Sequence, residues 1–214
     1  MKCRKLSFFE KHAKHWDTHP ENENVKRVVE ETEIKKGSVI CDVGTGTGVL
    51  VPYLVKKTGK KGKVIAIDYA PSMIEQATKK WRNLPAEFVV ADIHKTSFPD
   101  NHFDYVICNA CYPHFERKKV ALKEIYRILK NDGIIVISHP KGRDFVNNLH
   151  KSVGGCIAKD RVPQATILAK TLEYSGFIPL KVIDEPDFYF VSGKKPLFNK
   201  HNAPSCLERK ALTS

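Results

Sequence analysis

Residues 37–50 read Gly-Ser-Val-Ile-Cys-Asp-Val-Gly-Thr-Gly-Thr-Gly-Val-Leu, and this stretch constrains the fold more than any other. Ser38 to Val43 is a short, β-branched run of the kind that forms a buried strand. It leads directly into Gly44, Gly46 and Gly48, and then into an apolar helical pattern. Glycines at alternate positions allow backbone angles and close approaches that a side chain would block. A strand, a glycine turn and a helix start in succession make a nucleotide-sized crevice at the strand's carboxyl end. Asp68 closes the next strand-like run, Lys63 to Asp68, at the separation where an acid contacting a ribose belongs. The glycine spacing is Gly-x-Gly-x-Gly, not the Gly-x-Gly-x-x-Gly of dinucleotide sites, and Asp42 stands two residues before it. A carboxylate there opposes a pyrophosphate and suits a ligand carrying positive charge.

This stretch resembles the first motif of the class I S-adenosylmethionine-dependent methyltransferases, and the resemblance continues in order along the chain. Asp68-Tyr69-Ala70-Pro71-Ser72-Met73 is similar to the family's ribose acid and following helix start. Ala91-Asp92-Ile93 follows the third strand, where the family reads adenine. Phe103 to Ile107 resembles its fourth strand, and Leu129-Lys130-Asn131-Asp132-Gly133 the turn before its fifth. The resemblance implies a Rossmann-like α/β fold: a seven-stranded, mostly parallel sheet with helices on both faces and the last strand antiparallel. It implies S-adenosylmethionine as cofactor and S-adenosylhomocysteine as product. It also implies contacts residue by residue. Asp42, Gly44, Thr45, Gly46 and Gly48 hold the methionine end, and Asp68 accepts from the ribose hydroxyls. Tyr69 packs on the adenine, Asp92 and Ile93 read its edge, and Asn109 borders the methyl group. Strand-end capping is the plainer role for each of the three aspartates.

The 214 residues suit one α/β domain with short additions. Residues 1–193 are expected to form it and 194–214 a basic, mobile tail. No apolar run reaches the ~18 residues of a membrane helix, and no signal-peptide pattern follows the N-terminal charges. A cytoplasmic protein is expected. The six cysteines are too few and too irregular for a disulfide framework. Formal net charge is +12. The lysine clusters are dispersed and lack interleaved aromatics, so a solvated surface is favoured over a nucleic-acid partner.

Helices are expected at 7–17, with a Ser7–Glu10 capping box, and at 21–34. The first carries Phe8, Phe9, His12 and Trp16 near one face, and together the two resemble the family's N-terminal lid over the cofactor crevice, the alternative being helices that only cover the sheet edge. Strands are expected at 38–43, 63–68, 86–90, 103–108 and 133–138, with helices at 47–58, 71–83 and 116–130 between them. Residues 139–158, with Gly142, Gly154 and Gly155, read as a long loop. A helix at 160–175 and strands at 177–183 and 187–192 complete the pattern.

The acceptor side is less determined. Cys108-Asn109-Ala110-Cys111-Tyr112-Pro113-His114-Phe115 lacks the Asn/Asp-Pro-Pro-aromatic sequence of amine-methylating enzymes and the Pro-Cys nucleophile of the cytosine-carbon enzymes. A small-molecule acceptor is therefore expected. The fuller resemblance is to the quinone-biosynthesis and small-molecule branch, from which the His139-Pro140-Lys141-Gly142-Arg143 segment departs. Cys108, Cys111 and His114 offer three local soft-metal ligands, but buried thiols are the simpler reading and no metal is expected. His114 and His139 are the candidate bases, and Trp16 and Arg143 the candidate acceptor contacts. Two alternatives stay open: an RNA or protein methyltransferase using the basic surface, and a cofactor-binding module without transfer.

Overall fold

The computed structural model describes residues 3–16 and 22–197. Their elements run α1 (Cys3–His12), α2 (Glu23–Glu31), β1 (Val39–Val43), α3 (Val51–Thr58), β2 (Lys63–Asp68), α4 (Pro71–Lys80), β3 (Ala86–Val90), β4 (Phe103–Asn109), α5 (Lys118–Ile128), β5 (Leu129–His139), α6 (Arg143–Val153), α7 (Ala165–Tyr174), β6 (Ile178–Asp184) and β7 (Tyr189–Lys194).

The strands form a seven-stranded sheet in the order β3-β2-β1-β4-β5-β7-β6. β1 pairs in parallel with β2 and β4, and β2–β3 and β4–β5 are also parallel. β7 runs antiparallel between β5 and β6. This is the Rossmann-like arrangement expected from the sequence. Successive β1 residues face opposite sides of the sheet, and both sides are buried. Ile40 packs with Leu50, Leu54, Val28 and Phe190 under α2 and α3. Cys41 and Val43 pack toward Leu122, Ile125, Leu168 and Leu172 of α5 and α7. Burial on both faces explains why the central strands are apolar runs without polar alternation. The sheet order reverses between β1 and β4, and the crevice at their carboxyl ends is where such sheets bind ligands.

Several elements differ from expectation, each for a physical reason. α1 begins at Cys3, so Ser7 lies mid-helix and no Ser7–Glu10 capping box forms. Glu10 instead serves another helix: its Oε1 accepts from the Ser72 backbone N–H at 3.1 Å. α4 lacks a capping side chain of its own at Ala70, and an acid at a helix N-terminus satisfies an orphan donor and the helix dipole. α3 starts at Val51, not at 47, because Gly44, Gly46 and Gly48 all have positive φ (63°, 56° and 84°) and keep the chain in a turn.

The expected loop at 139–158 contains α6. Its buried residues, Val146 and His150, are one helical turn apart, and Gly142 and Gly154 bracket the helix as caps, not as loop residues. The helix expected from Asp160 starts only at Ala165. Pro163 disfavours helical geometry at Val162, which leaves Asp160 outside the helix.

At the C-terminal end, β7 runs to Lys194 and Lys195 is buried, past the expected boundary at 193. The Lys195 ammonium donates to Tyr126 O, Leu129 O and Asn101 Oδ1 at 2.7–2.9 Å, capping the end of α5. Most of the expected tail, residues 198–214, lies outside the described residues, as do 17 and 21 at the ends of the two expected lid helices. No helix among the described residues is long and apolar enough to cross a membrane.

Candidate active site

The cavity at the carboxyl ends of β1, β2 and β4 has a volume of about 640 Å³. Gly44, Thr45 and Gly46 form one wall, and Asp68, Tyr69, Asp92 and Ile93 the adjoining one. Asn109, Cys111 and His114 lie opposite, under Lys5, Phe9 and Trp16.

The turn is built by close backbone approach. A Cβ on Gly44 would fall 2.5 Å from the Cβ of Cys111, and one on Gly46 3.5 Å from Trp16 Nε1. Cys111 is buried, and its thiol donates to Val43 O at 3.0 Å. Gly48 faces the other way. A Cβ there would meet the Trp81 ring, whose Nε1 donates to Thr47 O.

Asp68 ties the turn to the next helix. One carboxylate oxygen accepts from Gly46 N at 3.0 Å and the other from Ala70 N at 2.9 Å. Burial raises its pKa against these bonds. Asp42 lies beneath the turn, buried and off the cavity lining. Thr45 Oγ1 donates to it at 2.6 Å, and burial pushes its carboxyl up to about 7. Asp92 Oδ1 accepts from His94 N and from His94 Nδ1 at 2.6 Å. The Arg117 backbone N–H donates to His94 Nε2, so the His94 proton sits on Nδ1. Asn109 ends β4, its Oδ1 accepting from Ser138 Oγ at 3.0 Å.

On the opposite side, Phe9 is buried and packs edge-on against Trp16, Tyr69 and His114, with centroids 5.6, 6.1 and 5.2 Å away. The His114 Nδ1 lies 2.8 Å from Asp160 Oδ2, and Lys5 Nζ donates to Asp160 Oδ1 at 2.6 Å.

Two expected acceptor-side residues lie elsewhere. His139 is buried at the end of β5, off the cavity lining, with its ring against Tyr189. Burial, reinforced by His114 and His150, drives its pKa down to about 3. Arg143 pairs with Asp144 at 2.9 Å and Asp184 at 3.4 Å, beside β6. Pro140 and Lys141 are the parts of that segment that reach the cavity. Among the described residues, no group of three or more His, Cys, Asp or Glu side chains is arranged to hold a metal ion. Lys5, His94 and Asp160 join the site without having been singled out as site residues in the sequence. Lys5 bonds to Asp160 across 155 positions and Asp160 to His114 across 46, so no local pattern marks them, whereas His94 bonds to Asp92 two positions away.

The donor set fits an adenosyl sulfonium ligand. Carboxylates only accept, so they suit hydroxyl and ammonium donors. Residues 42–50 carry no cation to hold a pyrophosphate. The positive-φ glycines leave the turn bare toward the cavity.

Comparison with known proteins agrees. A methyltransferase domain family matches residues 41–137. The demethylmenaquinone methyltransferase of Staphylococcus carnosus (strain TM300) is 35% identical over 112 residues, covering 52% of this chain and 46% of that protein. The chain thus spans about half the length of the curated relatives it matches. A SAM-dependent methyltransferase from Aquifex aeolicus is 26% identical with a TM-score of 0.73, covering 87% of this chain and 98% of that one. A structure from Methanococcus maripaludis, 20% identical with a TM-score of 0.68 over 91% and 93% of the two chains, shares the fold. The matched region, residues 41–137, supplies the β1–β5 frame that carries the glycine turn and Asp68, and over that region the chain is similar to S-adenosylmethionine-dependent methyltransferases.

Proposed function

We propose that this protein transfers a methyl group from S-adenosylmethionine to a small-molecule acceptor. The carrying observation is one mostly apolar cavity that joins the Gly44–Gly46 turn and Asp68 to Asn109 and His114 beneath α1. S-adenosylmethionine bound there supplies an electrophilic methyl carbon on a sulfonium. This chain's residues bind, orient and exclude water. Gly44, Thr45 and Gly46 seat the methionine end. Asp42 acts from below, through Thr45 and the turn, because it does not reach the cavity. Gly48 serves the turn's packing on Trp81. Asp68 accepts from the ribose hydroxyls, and Tyr69, Asp92 and Ile93 frame the adenine. Asn109 borders the methyl group. Trp16 and Phe9 cover the acceptor, and His114 takes its proton. His139 and Arg143 have no contact role in this reading.

A quinol-type acceptor is the finer proposal. It is supported by relatives named demethylmenaquinone methyltransferases and by the aromatic cover over the cavity. The test is a transfer assay with S-adenosylmethionine labelled in its methyl group, offered demethylmenaquinol, simple 1,4-naphthalenediols and a set of small amines and carboxylates. Label entering the diols supports the reading. Label entering amines or carboxylates alone overturns the quinol proposal. Label entering only added RNA or protein, with binding that falls steeply as salt rises, overturns the small-molecule reading.

A further inference from the structure

A hydrogen-bonded chain at the acceptor end of the cavity joins three segments distant in sequence. We propose that Asp160 is a positioning residue, anchored by Lys5 of α1, that fixes His114 as the proton acceptor for an acceptor molecule with an acidic hydroxyl, a phenol or an enol. This rests on the methyltransferase reading and specifies the chemistry of its acceptor.

The geometry leaves one consistent arrangement of protons. Asp160 accepts from Lys5 Nζ at 2.6 Å through one oxygen, and its other oxygen lies 2.8 Å from His114 Nδ1. A carboxylate paired with an ammonium accepts, so the His114 proton sits on Nδ1 and Nε2 keeps its lone pair. Burial pushes the Asp160 carboxyl up, but the bonds from His114 and Lys5 outweigh it and hold the group below its usual range. Burial pushes His114 down more strongly than Asp160 raises it, so the ring is neutral near pH 7 and able to accept. The charged and titratable groups around it are Lys5 of α1, Asp160, His150 of α6, His139 of β5 and Lys118 of α5. His150 is itself held: its Nδ1 lies 3.0 Å from the Asp160 carbonyl, and its ring is 4.8 Å from that of His114. The His114 ring lines the cavity, whereas His139 does not.

A neutral imidazole suits a weakly acidic O–H. The O–H bond breaks and an N–H bond forms at Nε2. The resulting imidazolium is stabilised by the Asp160 carboxylate and later returns its proton to water. The electron pair left on the acceptor oxygen, or delocalised onto an adjacent ring carbon, forms the new bond to the methyl carbon. The carbon–sulfur pair remains on sulfur as a neutral thioether. Lys5 belongs to α1, so the base is complete only with α1 seated over the cavity.

The test uses full-length protein labelled with ¹⁵N-histidine and loaded with S-adenosylhomocysteine, in wild type, Asp160→Asn and Lys5→Met. Nitrogen shifts report tautomer and protonation without any acceptor. The wild-type His114 should be the Nδ1–H tautomer. In Asp160→Asn its titration midpoint should fall and its tautomer should become mixed. Lys5→Met should show a smaller change of the same kind. With a series of phenols of graded acidity as probes, Asp160→Asn should lower kcat on the order of 10²-fold for the least acidic. The deficit should shrink for phenols already ionised, with S-adenosylhomocysteine affinity within about twofold of wild type, the limit set for no effect on binding. A purely structural role would lower all phenols equally. A wild-type Nε2–H tautomer, an unchanged His114 signal in Asp160→Asn, or a deficit independent of phenol acidity overturns the proposal. Absence of S-adenosylhomocysteine binding in the wild type would overturn the methyltransferase reading itself.

Discussion

The glycine-turn wall of the cavity draws on residues 43–46, 68–69 and 92–93, each at the end of consecutive parallel strands. The facing wall draws on Lys5, Phe9, Cys111, His114 and Pro140, with Asp160 behind it. The first wall is backbone chemistry: positive-φ glycines and a carboxylate capping two N–H groups. The second is side-chain chemistry, assembled by packing α1 over the sheet. Backbone chemistry demands particular residue types at fixed spacing. Side-chain networks demand only that the fold bring partners together, so they leave no local spacing. The first wall should therefore tolerate almost no substitution, and the second should respond residue by residue.

The largest expected effect comes from Gly44→Ala. It forces a side chain into φ +63° and to 2.5 Å from Cys111 Cβ. A stability loss of about 3–4 kcal/mol is expected from the combined backbone and overpacking costs, with loss of S-adenosylhomocysteine binding. Gly154→Ala is the control. It also has positive φ (+73°, with ψ −156°) but meets nothing within 4 Å, so only the backbone cost of about 1–3 kcal/mol is expected, with binding intact. Equal losses in denaturant titrations of the two variants would remove close approach from the account of the turn.

Next comes Asp68→Ala. Cofactor binding should weaken by about 1.5–3 kcal/mol, the range for hydrogen bonds to a charged group. Asp68 is not a freely removable loop residue, because it also satisfies Gly46 N and Ala70 N. Orphaning those donors should cost a further ~1–3 kcal/mol of stability. Calorimetry and denaturation on the same variant separate the two effects, and an unchanged dissociation constant would show that Asp68 does not touch the ligand.

Asp42→Asn tests the buried carboxyl beneath the turn through pH. The folded pKa of Asp42 is raised to about 7, while the unfolded group loses its proton near 4. The unfolded chain therefore binds fewer protons in that window, and wild-type stability falls as pH rises through it. An amide at this position does not titrate, so the substitution removes the effect. The variant should match wild type below pH ~4 and gain on the order of 4 kcal/mol above pH ~7. A gain independent of pH would contradict burial of an ionisable Asp42.

The smallest effect is expected at Arg143. It pairs with Asp144 and Asp184 away from the cavity. Arg143→Ala should change stability by less than about 1 kcal/mol and leave cofactor affinity and transfer near wild type. A tenfold fall in transfer with any acceptor would return Arg143 to the acceptor site.

The same contrast explains what the sequence revealed. The central strands were legible because both of their faces are buried: the runs at 38–43, 63–68 and 103–108 fall on observed strands, while the half-exposed edge strand at 86–90 was legible from its Phe88-Val89-Val90 run. The glycine turn was legible because alternate glycines have few other uses. α6 was missed because Gly142 and Gly154 punctuate a helix with only Val146 and His150 buried. Asp160 was hidden inside an expected helix, although Pro163 three residues later argued against one. His139 and Arg143 were expected at the cavity because they follow the fifth strand. That position fixes the sheet edge but not the direction of a side chain, and β5 turns His139 toward Tyr189.

The central claim is that the glycine-turn wall holds an adenosyl sulfonium ligand and not a dinucleotide. Isothermal titration of the wild type with S-adenosylmethionine, S-adenosylhomocysteine and NAD, repeated with Asp68→Asn, tests it most directly. The expected result is saturable binding of the first two ligands, weakening by about tenfold or more in Asp68→Asn, and no binding of NAD. Tight NAD binding with no response to S-adenosylhomocysteine would contradict it.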